Sequence, residues 1–254
     1  MQPSIAVIMP VRNGRTFLAG AIKCVESQSY TPLELVIVDD GSTDGSLEAA
    51  QNAGIRILQT AGVGPAGARN AGIQATVSDT IAFLDVDDLW PRGTLHRLAE
   101  TLSAHPEAGF AQGRIQNFRV REDGSKHFFT VPYRFLNLGA SLYRRSLFDR
   151  VGLLDETMRL CEDLDFLMRC WEKDISRALV EEVTLHYRRH PGNMTAGLEG
   201  AGFGTIQAVK RRMDRIRRGL YDPTQPRQVP ATEYLGVAPE SQDEGVIVWP
   251  GKLA

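Results

Sequence analysis

Cysteine is scarce in this 254-residue chain, and the three present, Cys24, Cys161 and Cys170, are odd in number and lack metal-ligand spacing. Neither a disulfide framework nor a zinc site is expected, and a reducing compartment follows. An excess of one charge is also missing: 29 Lys and Arg stand against 31 Asp and Glu, a formal net charge of −2. No general attraction to nucleic acid follows, so any electrostatic specialisation is local. Long apolar runs are absent as well. The first, Ile5 to Met9, is too short for a signal-peptide core, and nothing later approaches the ~20 apolar residues that span a bilayer. A cytoplasmic location is the expectation. No internal repeat is present, and the length suits one large α/β domain, or one of ordinary size with an appendage.

What is present in the first half is alternation. Short β-branched runs at Ile5–Met9, Leu33–Val38, Ile55–Leu58 and Ile81–Leu84 are separated or followed by helical patterns near Thr16–Ser27, Ser46–Ala53, Ala66–Ala75 and Thr94–Ala104. That order predicts a mostly parallel central sheet flanked by helices, a nucleotide-binding layout. Beyond Pro106 the texture becomes α+β, with Phe110–Val120 and Lys126–Val131 flanking a turn at Glu122-Asp123-Gly124-Ser125, and a strand at Thr184–Tyr187. Ile206, Val209, Met213, Ile216 and Leu220 then recur at helical spacing among basic residues. From Pro223 to Ala254 the composition predicts an extended tail that orders only where Val246-Ile247-Val248-Trp249 finds a surface. The expected organisation is a domain over 1–198, with a nucleotide-binding half at 1–105 and an acceptor half at 106–198, followed by a basic amphipathic helix and tail over 199–254.

The densest chemistry is Phe83-Leu84-Asp85-Val86-Asp87-Asp88, three carboxylates at the carboxyl end of an apolar strand, where open α/β sheets bind ligands. Asp85 and Asp87 project to one side of near-extended chain, and two such carboxylates repel unless a cation lies between them. Mg²⁺ or Mn²⁺ suits such a site, because hard ions combine one or two carboxylates with phosphate oxygens. Taken alone, the stretch equally suits an acidic loop capping the helix after Pro91. A second strand runs into Asp39-Asp40-Gly41-Ser42-Thr43-Asp44, where one carboxylate could accept the N3–H of a pyrimidine and Asp44 suits a helix cap. Pro10-Val11-Arg12-Asn13-Gly14 supplies a third loop on the same edge.

The ordered set Ile8-Met9-Pro10-Val11-Arg12-Asn13, Val36-Ile37-Val38-Asp39-Asp40-Gly41-Ser42-Thr43-Asp44, Ala66-Gly67-Ala68-Arg69-Asn70-Ala71-Gly72 and Phe83-Leu84-Asp85-Val86-Asp87-Asp88 resembles family 2 glycosyltransferases of the GT-A fold. The likeness continues through Gly152-Leu153-Leu154-Asp155-Glu156, Glu162-Asp163-Leu164-Asp165-Phe166 and Tyr187-Arg188-Arg189-His190-Pro191-Gly192-Asn193, and covers residues 4 to 196. The resemblance implies an inverting transferase using a nucleotide-diphosphate sugar, a UDP-sugar by preference, and a hydroxyl acceptor in glycan or polysaccharide synthesis. It places Pro10, Val11, Asn13, Asp40, Arg69, Asp85 and Arg188 around the donor. It puts Asp87, Asp85 and His190 at the metal, and Asp163 as the base on the acceptor hydroxyl. Gly139, Ala140, Ser141 and Glu162 fall where the family puts part of its acceptor pocket. Without the resemblance, Glu162 and Asp163 read as acids favouring a helix start, and His190 as an ordinary loop histidine.

A rival fingerprint is present. Gly62-Val63-Gly64-Pro65-Ala66-Gly67 fits the dinucleotide-binding glycine pattern, with Asp85 at about the right distance, which would make the chain an NAD-dependent oxidoreductase. That reading leaves the Asp39-Asp40 loop unexplained and puts Asp87 and Asp88 beside a cofactor phosphate. A nucleotidyltransferase would want a glycine-rich cradle where Pro10-Val11-Arg12-Asn13 stands, and a non-catalytic nucleotide-sugar binder would have no use for Asp163. For residues 205–220, docking on the domain ranks first, a homodimer second, and peripheral contact with the inner face of the membrane third.

Overall fold

The computed structural model of the protein describes residues 2–194 and 201–236. The first half forms β1 (Ile5–Val11), α1 (Leu18–Glu26), β2 (Leu33–Asp39), α2 (Glu48–Asn52), β3 (Arg56–Gln59), α3 (Gly64–Ala75), β4 (Thr80–Phe83) and α4 (Thr94–Ala104). These four strands pair in parallel in the order β3-β2-β1-β4, so their carboxyl ends share one edge. Ile5, Val7 and Met9 pack in one apolar cluster with Leu18, Ile22 and Leu98, while Ala6 and Ile8 pack in another with Ala66 and Ile73. Burial on both faces is why Ile5–Met9 reads as an unbroken apolar run. Gly72 lets α3 lie close on β1, since a Cβ there would stand 2.4 Å from Ile8 Cγ2.

The second half adds β5 (Phe110–Val120), β6 (Lys126–Phe128), β7 (Ser141–Arg144), α5 (Arg145–Val151), α6 (Glu162–Glu172) and β8 (Arg177–Arg188). β7 inserts antiparallel between β4 and β5, β8 runs parallel to β5, and β6 closes the hairpin. One eight-stranded sheet therefore runs through both sides of Pro106.

Three expectations change. The strand expected over Lys126–Val131 ends at Phe128, because the Asn117 amide donates to the Thr130 hydroxyl, a side chain, in place of a ladder carbonyl. The strand expected at Thr184–Tyr187 begins seven residues earlier, its start disguised by the exposed Glu181 and Glu182. The segment after Pro223 is not simply an extended tail. Residues Ala231–Leu235 form α8, whose Tyr234 is 5 % exposed, donates to the Ile175 carbonyl at 2.7 Å and meets Phe110 edge-on. Val246 to Trp249 lie outside the described residues.

The basic helix is α7 (Ala201–Arg217), and it docks on α6 by the side that carries Arg215 and Ala208. Arg215 binds Asp165 and Glu172, Arg211 binds Asp155, and Arg212 lies over Trp171 and Tyr221. Ala208 is fully buried beside Met158, Leu164 and Met168, whereas Ile206, Val209 and Met213 are exposed. Apolar spacing shows where a stripe lies on a helix but not which neighbour it faces. Here α6 offers carboxylates, so the arginines turn inward.

Candidate active site

The shared carboxyl edge of β1, β2 and β4 is held together by its own polar groups. The Asp40 amide donates to the Val11 carbonyl, and Asn13, at φ 56°, ties the first loop to the second. The Asn13 amide donates to the Ser42 hydroxyl, and its side-chain oxygen accepts from the Thr43 amide. Asn13 thus spends its carbonyl on the loop. Val11 is 1 % exposed, so only its backbone borders the edge, beside a half-buried Pro10.

Asp40 is buried and held by several donors. Its carboxylate accepts from the Thr60 hydroxyl at 2.7 Å and from the amides of Val63 and Gly64 at 2.8 Å each, with the Gly62 amide also stabilising its charge. Burial pushes its pKa up, but these bonds outweigh that and hold it below the usual carboxylate range. They also correct the dinucleotide reading. The first amides of α3, where a pyrophosphate would rest, are already taken by an in-chain carboxylate, with Gly64 at φ 85° shaping the turn around it.

Two of the three carboxylates after β4, Asp87 and Asp88, are clasped by the end of β8 and the loop after it. Asp88, 1 % exposed, accepts from the Arg188 amide, and Arg188 Nε donates to the Asp87 carbonyl at 2.6 Å. The Arg188 guanidinium lies over Phe17 and Phe118. Asp87 Oδ2 meets His190 Nε2 at 3.0 Å and Asn193 Nδ2 at 3.2 Å, while the Asn193 side-chain oxygen accepts from the His190 amide at 2.7 Å. The Gly192 amide donates to His190 Nδ1, which puts the ring proton on Nε2, directed at Asp87. In this arrangement His190 Nε2 stands at hydrogen-bond distance from the Asp87 carboxylate. Asn193 received no role from the sequence. Its spacing of three residues after a histidine, across Pro-Gly, was the available signal.

Arg69 joins this edge to α6. Its guanidinium is buried and donates to Asp85 Oδ1 at 2.6 Å and Glu162 Oε1 at 2.7 Å, with Nε left without a partner. The geometry therefore occupies Arg69 with two carboxylates. Asp163, next to Glu162, accepts from the Leu164 amide through Oδ1, and no protein group among the described residues bonds its second oxygen. Burial first, then the Glu162 charge, push its pKa up to about 7, against the pull of the Leu164 amide and Arg69.

Gly139, Ala140 and Ser141, expected at the acceptor pocket, are instead buried in the turn before β7 and at its first residue. The Gly139 carbonyl accepts from Trp90 Nε1 and the Ala140 carbonyl from the Thr184 hydroxyl, so this turn braces the edge from behind.

Among the described residues no three His, Cys, Asp or Glu side chains converge into a ready cage. The donor set nevertheless fits a hard divalent ion completed by substrate oxygens. Burial and the Asp85 charge raise the Asp87 pKa, and burial with Asp87 and Asp85 raises that of Asp88 well above its usual range, so the loop lacks positive charge.

The model of the glycosyl transferase family 2 matches residues 6–162. GgaA of Bacillus subtilis, a minor teichoic acid biosynthesis protein, is 26% identical over 208 residues, 72% of this chain and 47% of that protein. Other curated relatives named as glycosyltransferases are matched over 34% to 64% of their own length. Of solved structures, S. aureus TarS 1-349 in complex with UDP-GlcNAc has a TM-score of 0.68 at 18% identity, covering 91% of this chain and 69% of that one. The mannosyltransferase PcManGT of Pyrobaculum calidifontis, in complex with GDP-Man and Mn²⁺, has 0.65 at 18% identity, covering 89% and 66%. The chain belongs to the family 2 glycosyltransferases and carries their GT-A fold.

Proposed function

We propose that this glycosyltransferase moves a sugar, with inversion, from a UDP-sugar to an acceptor hydroxyl on a surface glycan. The observation that carries the proposal is the Arg69 guanidinium, which holds Asp85 of the donor edge and Glu162, next to Asp163, on its two sides. Leaving-group chemistry and a base are thereby brought to one place. Asp40 stands toward the pyrimidine, Pro10 and the Val11 backbone flank the base, and Asp85 faces the ribose. Asp87, with Asp85, would hold Mn²⁺ or Mg²⁺, which when bound supplies positive charge to the leaving diphosphate. Asp163 takes the acceptor proton as the acceptor oxygen bonds to C1 and the C1–O bond to the diphosphate breaks on the opposite face. A pKa of about 7 suits that task near neutral pH. The UDP-sugar in TarS and the teichoic acid role of GgaA support this donor and acceptor class, while the GDP-Man of PcManGT makes the base the point to test.

Calorimetric titration with UDP, dTDP, GDP and NAD, with and without Mn²⁺, is the test for wild type and Asp87→Ala. Metal-dependent UDP binding that Asp87→Ala abolishes is expected. Metal-independent NAD binding without nucleoside-diphosphate binding would overturn the proposal.

A further inference from the structure

α7 leaves an apolar stripe on the outside of the protein. Ile206 is 66 % exposed, Val209 42 % and Met213 43 %. At 3.6 residues per turn these three fall within about 60° of one another. Gly204, Ala208 and Arg215 fall opposite, and all three face α6 or its start. A Cβ on Gly204 would stand 2.7 Å from Cys161 Sγ, Ala208 is fully buried, and Arg215 is paired with Asp165 and Glu172. The helix is thus fixed by its polar side, with its most apolar side turned away. Lys210 and Arg217 border the stripe and both are exposed; among the described residues Arg217 pairs with Asp214 at 3.4 Å.

We propose that this face of α7 docks on an anionic lipid bilayer. Exposed apolar side chains bordered by cations are complementary to an acyl and headgroup boundary of opposite charge. A second copy of the chain fits less well. A twofold pairing would set the Lys210 and Arg217 margins against their counterparts, and three apolar side chains fall well short of the roughly 800 Å² per partner of a stable interface. The stripe begins two residues after Gly204, which touches Cys161 at the start of α6, so a bilayer along α7 would meet the protein near Asp163. An acceptor held at headgroup level by a lipid would arrive at that end. Docking itself does not depend on the assignment of Asp163 as base.

Co-sedimentation with phosphatidylcholine vesicles, with and without phosphatidylglycerol, tests the proposal. Wild type should bind the anionic vesicles, more weakly in high salt, and leave the neutral ones largely unbound. Ile206→Ser, Val209→Ser and Met213→Ser together should weaken binding about a hundredfold, and Lys210→Glu with Arg217→Glu at least fivefold per residue. Because these side chains are exposed, the melting temperature should hold in both variants. Absence of anionic vesicle binding in wild type, or binding that both variants retain, would overturn the proposal. So would a dimer in sedimentation equilibrium that the apolar variant dissociates, since the stripe would then serve self-association.

Discussion

Replacing Arg69 with Met keeps most of the side-chain volume and removes one charge, leaving Glu162, 8 % exposed, and Asp85 without a counterion. Removing one partner of a buried ion pair costs ~3–5 kcal/mol, because a desolvated charge is left uncompensated. For a chain of this length that corresponds to a melting point lower by roughly 6–20 °C. A second readout separates this loss from ordinary packing damage. Arg69 is one of the groups that pull the Asp163 pKa down, so its removal should move the acidic limb of the pH profile of kcat/KM to higher pH. Adding Glu162→Gln to Arg69→Met should recover part of the stability and shift the limb back, because Glu162 pushes the other way. Chemical unfolding gives the first quantity, and initial rates across pH 5 to 9 give the second. The reasoning fails if Arg69→Met melts as wild type does, or if the double variant loses the sum of the two single losses with an unmoved limb.

Asp163→Asn should lower kcat by ~10²–10⁴-fold while leaving donor binding intact, measured by turnover and calorimetry. Its stability should have the opposite sign: a folded pKa raised to about 7 means that wild type loses stability as pH rises from about 4 to 7. The Asn variant escapes that loss and should melt higher than wild type at pH 8, with the gap closing near pH 4. Asn193→Ala should release the His190 amide and one contact to Asp87, weakening metal-dependent nucleotide binding several-fold in titrations. Asn193→Asp, which keeps the acceptor but adds charge beside Asp87, should weaken it further. Tyr234→Ala should cost ~3–5 kcal/mol in unfolding experiments by emptying an aromatic site and leaving the Ile175 carbonyl unpaired.

The nucleotide edge was legible because its elements are local. A β-branched run followed by carboxylates places those carboxylates at a strand end whatever the rest of the chain does, and Asp40, Asp85 and Asp87 lie there. The antiparallel insertion of β7 was not legible, since it pairs with β4 and β5 across more than twenty intervening residues. Individual roles were less legible than positions. Arg69 looks available in sequence, but its two carboxylate partners lie 16 and 93 residues away. Asp40 looks like a base ligand, and three bonds from residues 60 to 64 give it a second task in holding the entrance to α3. The orientation of α7 was hidden for the same reason. Its arginines turn inward because Asp165 and Glu172 on another helix are there to receive them.

The site's charge balance binds its two halves into one argument. Asp85, Asp87, Asp88, Glu162 and Asp163 are five carboxylates, against which the described contacts set the guanidiniums of Arg69 and Arg188. Burial prevents water from screening the excess, so protons do so instead, and the raised pKa values of Asp87, Asp88 and Asp163 are the result. A diphosphate donor adds further negative charge to this edge and should bind poorly without a cation, which makes donor and metal affinities interdependent. The same excess keeps Asp163 basic enough to take a proton near neutral pH. Neutralising Asp85, whose charge pushes the Asp163 pKa up, should therefore do more than weaken the donor. With one repelling carboxylate gone from an unscreened cluster, the acidic limb belonging to Asp163 should move to lower pH.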